Sequence, residues 1–167
     1  MMKSLVWSIL LLPGTATVFA PAALLCISFV FFDETIAFSE NIIILVASIS
    51  FFVIGVFLAI ATIRLFFRFG KGTPAPWNPP KTLVVKGPYR YVRNPMITGV
   101  IFILSGEALL FWSPVLFIWA FIFFIANMLY FPFVEEKKLL KRFGKDYDEY
   151  TKNVPRWIPR CTPWKKK

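Results

Sequence analysis

The residues best suited to chemistry lie in one stretch, 87–99, which reads Gly-Pro-Tyr-Arg-Tyr-Val-Arg-Asn-Pro-Met-Ile-Thr-Gly. Arg90 and Arg93 stand there among aromatic residues and prolines, just before a long apolar run. Pro95 lacks an N–H group and fits the first turn of a helix, and Asn94 before it is a good N-cap. The stretch therefore predicts a loop that starts a membrane helix at about Pro95. The free N–H groups at such a helix start suit a carboxylate or a phosphate.

A second group of reactive side chains follows the last apolar run. Glu135 and Glu136 come first, and an apolar stripe follows among charged residues, interrupted at Gly144: Leu139, Leu140, Phe143, Tyr147 and Tyr150. This pattern predicts an amphipathic helix lying in the membrane interface, with both tyrosines packed at that interface. Plainer interpretations exist for both groups: a positively charged membrane flank with a good helix cap for the loop, and a solvated charge pair for the glutamates.

Three motifs together resemble the isoprenylcysteine carboxyl methyltransferase family. They are the 87–99 stretch, Glu135-Glu136-x-x-Leu139, and Phe143-Gly144-x-x-Tyr147-x-x-Tyr150, in the family's order and spacing. That family belongs to a wider group of integral-membrane methyltransferases that includes phospholipid N-methyltransferases. The resemblance covers about half of the chain, whereas the first two apolar runs are similar only in being apolar. It implies methyl transfer from S-adenosylmethionine, bound in a pocket on the cytoplasmic side.

The resemblance also implies which residues form the site. The N–H groups at the helix start suit the carboxylate of S-adenosylmethionine, Glu135 suits its ribose or amino group, and an apolar and aromatic wall suits its adenine. The candidate catalytic residues are Arg93, Asn94 and Glu135. The positions carried over as cofactor-binding are Lys81, Thr82, Leu83, Val84, Tyr89, Asn94, Pro95, Met96, Ile97 and Glu135, with Gly99 and Glu136 in supporting roles.

Three positions depart from the family pattern. Asn94 stands where the family usually has histidine, and asparagine can form hydrogen bonds but cannot take a proton. Ile97 replaces a tyrosine, and Phe131 replaces a basic residue tied to the prenylated substrate. The change at Phe131 argues against a prenylcysteine acceptor more than against cofactor binding. Two alternatives to a methyltransferase stay open. One is a non-catalytic protein that keeps the fold, and the other is a sterol-reductase-like enzyme that uses NADPH, although such reductases are much longer chains.

The absence of histidine restricts which nucleophilic group the methyl acceptor is expected to have. Methyl transfer requires mainly alignment and a dry site, because the cofactor carries the reactivity. An amine acceptor would have to lose a proton first, and the chain contains no histidine to take it. A carboxylate or thiol on a small or lipid-like acceptor is therefore favoured over an amine. With no histidine and two distant cysteines, Cys26 and Cys161, neither a metal site nor a disulfide is expected.

The elements that position these residues are membrane helices. Of the 167 residues, 57% are hydrophobic, and the long uncharged runs predict an all-α, single-domain integral membrane protein with about four transmembrane helices. Pro13, Gly14 and Pro21 are expected to kink or break the first span. The predicted spans are about 5–32, 42–67, 96–112 and 114–133, with a loop over 68–95 and a tail over 134–167.

Charge placement sets the predicted topology. All 19 basic residues lie before the first span, in the central loop with its flanks, or from Lys137 onward, whereas 33–40 holds three acids and no base. The positive-inside rule therefore places both termini and the central loop in the cytoplasm. The basic surface suits anionic lipid headgroups, and no nucleic-acid-binding motif is present. Glu107, an ionisable residue in an apolar run, is a further functional candidate.

Overall fold

The computed structural model describes residues 10–32, 38–70 and 80–165, and all of its regular elements are helical. Helix α1 spans Ala20–Phe32 after a π-helical segment, Leu10–Phe19. Helix α2 spans Ile42–Leu65 and continues as π-type turns over Phe66–Gly70, and a 3₁₀ turn follows at Gly87–Arg90. Helix α3 spans Pro95–Leu110, and α4 spans Pro114–Tyr130 and continues through Phe131–Glu135. Helices α5 and α6 span Glu136–Phe143 and Lys145–Asn153.

Within the described residues, three helices are long and apolar enough to cross a membrane: Gly14–Phe31, Ile42–Gly70 and Pro114–Phe143. The all-α membrane fold predicted from the sequence is therefore confirmed. Helix α3 is also apolar, but its 16 residues rise only about 24 Å, short of a hydrocarbon core of about 30 Å. The structure thus contains three candidate spans and one shorter apolar helix.

The first apolar run does not break within 10–32. Instead, its geometry is π-helical over Leu10–Phe19, the segment that contains Pro13 and Gly14, and becomes α-helical from Ala20. Proline cannot donate an intrahelical hydrogen bond, and a wider turn is one way for a helix to accommodate that loss. Pro21 lies in the first turn of α1, where proline is tolerated.

The chain divides into two compact units, Met1–Phe57 with Gly99–Ile125, and Leu58–Thr98 with Ala126–Lys167. In the first unit, helices α2 and α3 approach closely enough for backbone contact. A Cβ added at Gly55 would lie 2.6 Å from the carbonyl oxygen of Gly99. The Ser48 hydroxyl donates to the Gly106 carbonyl oxygen at 2.9 Å. Small residues at the contact allow this approach, as in other membrane helix pairs.

The second unit contains the candidate site and has its own core. Tyr147, Tyr150, Val154 and Trp164 are buried together, and the partly buried Leu83, Val85, Leu139 and Phe143 pack against them. Gly144, with φ 55°, separates α5 from α6 in a conformation that favours glycine. The prediction that Tyr147 and Tyr150 pack at the membrane interface is therefore wrong, because protein covers them. The interfacial position of the helix itself stays a prediction, since Leu140 on α5 is 47% exposed. Residues 71–79 of the predicted loop over 68–95 lie outside the described residues.

Candidate functional site

The motif loop begins with a tight turn set by its sequence. Gly87 has φ 55°, and a Cβ added there would also lie 3.0 Å from a methyl group of Leu65. Tyr89, buried in the 3₁₀ turn, packs the edge of its ring against Phe66 with centroids 5.5 Å apart. Helix α3 starts at Pro95, as the sequence predicted. The loop therefore presents Arg93 and Asn94 directly before that helix.

The C-terminal segment 154–164, which we call the C-terminal strap, runs along the motif loop. The N–H of Arg93 donates to the carbonyl oxygen of Pro155 at 2.9 Å. At the other end, the N–H of Trp164 donates to the carbonyl oxygen of Arg90 at 3.0 Å, and Arg90 Nε returns a 2.7 Å bond to the Trp164 carbonyl. These bonds supply partners for loop groups that no helix or sheet could satisfy.

Two arginines share the carboxylate of Glu136. Arg156, from the strap, donates two hydrogen bonds to it, from Nε at 2.6 Å and from Nη2 at 3.0 Å. Arg93 Nη1 lies 3.1 Å from the same Oε1 atom and forms an ion pair with it. The side chains of Arg93 and Glu136 are only 10% and 16% exposed. The three side chains of this cluster therefore carry one more positive than negative charge, with Arg93 and Glu136 largely buried and Arg156 39% exposed.

Tyr147 lies within electrostatic reach of Arg93 and of both glutamates, Glu135 and Glu136. Burial raises the pKa of its hydroxyl to about 12, and the negative charges of Glu136 and Glu135 add to the rise, while Arg93 opposes it. Burial also raises the pKa of Tyr89 and Tyr150 above the ordinary tyrosine value. All three tyrosines are therefore neutral at neutral pH and add no charge to the cluster.

Three buried nitrogen atoms at the start of α3 have no hydrogen-bond partner in the part of the chain that the structure describes. They are Nε and Nη1 of Arg93 and Nδ2 of Asn94. The Arg93 Nη1 contact with Glu136 is an ion pair without a directed hydrogen bond. Buried donors are rarely left unpaired, because their desolvation is costly. These donors therefore suit an anionic ligand.

The first four candidate cofactor-binding residues lie on the approach to the motif loop. Lys81 is exposed, and its N–H donates to the Gly70 carbonyl oxygen at 2.8 Å. The Thr82 hydroxyl, also exposed, bonds to the Phe69 carbonyl oxygen. Leu83 packs on the core of the second unit, and Val84 is buried. These contacts fix the segment, and the assignment to a cofactor stays a prediction.

The remaining candidates fall on α3 and at the end of α4. Pro95 is fully buried, and Met96 and Ile97 are half-buried in the first turn of α3. Gly99 belongs to the other unit, where it lies against Gly55. Glu135 is half-buried, and Oε2 of its carboxylate lies 3.5 Å from the Tyr130 hydroxyl, which donates to it. Glu135 is thus far less constrained than its neighbour Glu136.

Sequence analysis missed Arg156 and underestimated the two tyrosines. The apolar residues and prolines of 154–159 predict an extended segment that folds back on the body, but nothing in a linear sequence indicates that its arginine meets Glu136, 20 residues earlier. The available signal was that Arg156 is the only charged residue between Val154 and Pro159. Tyr147 and Tyr150 did match a motif, but their helical spacing was also consistent with a membrane interface.

Comparison with known families matches residues 43–146, more than half of the chain, to the phospholipid methyltransferase family. The match includes the motif loop and both glutamates, whereas Tyr147, Tyr150 and the C-terminal strap lie beyond it. No curated protein and no solved structure matches the chain.

Proposed function

The chain belongs to the phospholipid methyltransferase family and is an integral membrane protein, and from that premise we propose that it transfers a methyl group from S-adenosylmethionine to a lipid-like acceptor. One observation supports S-adenosylmethionine as the cofactor. Nε of Arg93 and Nδ2 of Asn94 are buried donors without a hydrogen-bond partner among the described residues, and Nη1 of Arg93 has only its ion-pair contact with Glu136. A carboxylate such as that of S-adenosylmethionine supplies the acceptors that these donors lack.

Different residues of the second unit would bind different parts of the cofactor. Arg93 and Asn94 would hold the carboxylate end of the cofactor, and Glu135, whose carboxylate has one weak protein contact, would accept hydrogen bonds from an amino or hydroxyl group. Glu136 has both oxygens engaged by Arg156 and acts as a structural anchor. When bound, S-adenosylmethionine supplies an electrophilic methyl group on a sulfonium centre. The protein's task is to align the acceptor and exclude water.

The acceptor is expected to enter from the bilayer. The site residues adjoin the ends of two long apolar helices, Ile42–Gly70 and Pro114–Phe143, so a molecule with an acyl or prenyl chain can remain in the membrane while its head group reaches the site. The absence of histidine favours a carboxylate or thiolate nucleophile, which needs no general base. An acceptor screen should therefore compare carboxylate, thiol and aminophospholipid lipids side by side.

We further propose that the second unit faces the cytoplasm and contacts anionic headgroups. At the C-terminal end of the long apolar helix Pro114–Phe143, helix α5 exposes four basic residues to solvent: Lys137, Lys138, Lys141 and Arg142. Basic residues next to a membrane span favour the cytoplasmic side and attract anionic lipids.

Ligand binding to detergent-purified protein tests the proposal. Saturable binding of S-adenosylmethionine and S-adenosylhomocysteine, measured by calorimetry and weakened by Glu135→Ala, is the expected result. Glu149→Ala, at an exposed glutamate of α6, is the matched control and should leave binding unchanged. Binding of NADPH alone would instead support a reductase, whose cofactor phosphates also suit the free donors. Folded protein that binds none of these ligands would contradict an enzymatic role.

A further inference from the structure

The C-terminal strap supplies a residue that the matched family region lacks. Arg156 lies ten residues beyond the end of the family match at residue 146, yet it forms the most complete polar contact to Glu136. Resting on the function proposed above, we propose that Arg156 is a positioning residue for cofactor binding. By engaging Glu136, it keeps Arg93 available to the carboxylate of S-adenosylmethionine.

The two arginines share the Glu136 carboxylate unequally. A carboxylate has two oxygens and binds one guanidinium side by side in its best geometry. Arg156 takes that place, with bonds of 2.6 and 3.0 Å to the two oxygens. Arg93 is left with an ion-pair contact of 3.1 Å from Nη1 and an interaction with the Tyr147 hydroxyl, while its buried Nε has no acceptor among the described residues. Arg156 occupies the two-point position on the Glu136 carboxylate. Glu136 therefore does not fully engage Arg93, whose remaining donors are the ones proposed to bind the cofactor.

The position of Arg156 is fixed independently of its ion pair. Its neighbour Pro155 accepts the backbone N–H of Arg93 at 2.9 Å, and Val154 before it is buried in the core of the second unit. Further along the strap, the N–H of Arg160 donates to the Tyr91 carbonyl oxygen at 3.1 Å. The strap therefore remains in place if the guanidinium is shortened or neutralised, which makes the role of Arg156 testable.

Removing the Arg156 charge should let Glu136 pair fully with Arg93. The positive surplus of the cluster would disappear, and the Arg93 donors would turn from the ligand to the carboxylate. Arg156→Gln should then bind S-adenosylhomocysteine about tenfold more weakly. Methylthioadenosine has the same adenosine group but no amino acid carboxylate, so its affinity should change little.

A double variant separates this role from simple structural support. The variant that combines Arg156→Gln with Glu136→Gln also removes the carboxylate that would otherwise pair with Arg93. Arg93 is then again available to the ligand, so affinity for S-adenosylhomocysteine should recover toward that of the wild type. If Arg156 only stabilised the fold, the double variant would bind no better than Arg156→Gln. Arg156→Lys, which keeps the charge and loses the two-point geometry, should be intermediate.

The experiment is calorimetry with both probes on full-length protein in detergent, with thermal midpoints recorded for each variant. Lys152→Gln removes a cation from the exposed ion pair with Asp148 and should leave binding unchanged. Equal weakening of both probes, or no recovery in the double variant, would overturn the inference about Arg156. If Arg156→Gln does not fold, the Arg156→Lys and double variants give the same contrast. A wild-type protein that binds neither probe would overturn the proposed function as well.

Discussion

The hydroxyl group of Tyr150 donates a hydrogen bond of 2.7 Å to the backbone carbonyl oxygen of Tyr89. Both side chains are buried, at 3% and 7% exposure. The bond joins α6 to the 3₁₀ turn that precedes Arg93 and Asn94, although the two tyrosines are 61 residues apart in the chain. The last helix of the protein is therefore a direct support of the motif loop.

Tyr150→Phe should destabilise the second unit. The change leaves the buried carbonyl oxygen of Tyr89 without this donor, which costs about 1–3 kcal/mol, while the ring still fills its place in the core. Thermal unfolding in detergent measures the effect. Tyr91→Phe, at an exposed tyrosine of the same loop, is the matched control and should change the midpoint little. Equal midpoints for the two variants would mean that the Tyr150 bond does not support the loop.

Stability should fall at alkaline pH because of Tyr147. The pKa of its hydroxyl rises from 10.0 to about 12 in the folded protein, mainly through burial. Between these values the unfolded chain loses the proton and the folded chain keeps it, so the stabilisation is complete below pH 10 and is lost as pH rises through about 12.

Tyr147→Phe lacks this titrating group, so its thermal midpoint should fall less steeply than that of the wild type over the same pH range. The comparison requires midpoints below pH 10 and at about pH 11, with Tyr91→Phe as the control. Parallel curves for the wild type and Tyr147→Phe would show that Tyr147 does not contribute to the alkaline transition.

Asn94→Leu should separate stability from binding. Nδ2 of Asn94 is buried without a partner among the described residues, so an apolar side chain of similar size removes a desolvation cost. The thermal midpoint of the ligand-free protein should therefore stay constant or rise, while affinity for S-adenosylhomocysteine falls about tenfold.

Asn41→Leu provides the opposite case. Oδ1 of Asn41 accepts the Ile43 N–H at 2.9 Å at the start of α2, and losing such a cap costs about 0.5–2 kcal/mol. Asn41→Leu should thus lower the midpoint and leave ligand affinity unchanged. A clear loss of stability in Asn94→Leu would instead indicate that Asn94 is a structural residue.

The two cysteines allow the membrane orientation to be tested. Cys161 is free and exposed in the C-terminal strap, whereas Cys26 lies in the candidate span Gly14–Phe31. In a Cys26→Ser background, a membrane-impermeant maleimide should label Cys161 in sealed inside-out vesicles and spare it in right-side-out vesicles. The reverse pattern would place the C-terminal strap and the site outside the cytoplasm.

The sequence alone determined the elements of this protein. Long uncharged runs have few alternatives to membrane helices, because lipid offers no hydrogen-bond partner to an open backbone. Pro95 after Asn94 marked the start of α3, and Gly144 marked the break between α5 and α6, because the backbone preferences of these residues are local. The motif loop and the two glutamates were likewise recognisable from residue types and spacing.

Only the tertiary structure decided which residues meet. The pairing of Glu136 with Arg156, and of Tyr150 with Tyr89, depends on the strap folding back over the motif loop, and contacts between distant residues leave no periodic signal. The apolar stripe of α5 and α6 likewise did not indicate which residues would pack against it. Its spacing established that one face is buried, whereas the choice between lipid and protein as its cover depended on the packing of Val154 and Trp164. An apolar face is buried for the same free-energy gain by either cover, so the sequence could not distinguish them.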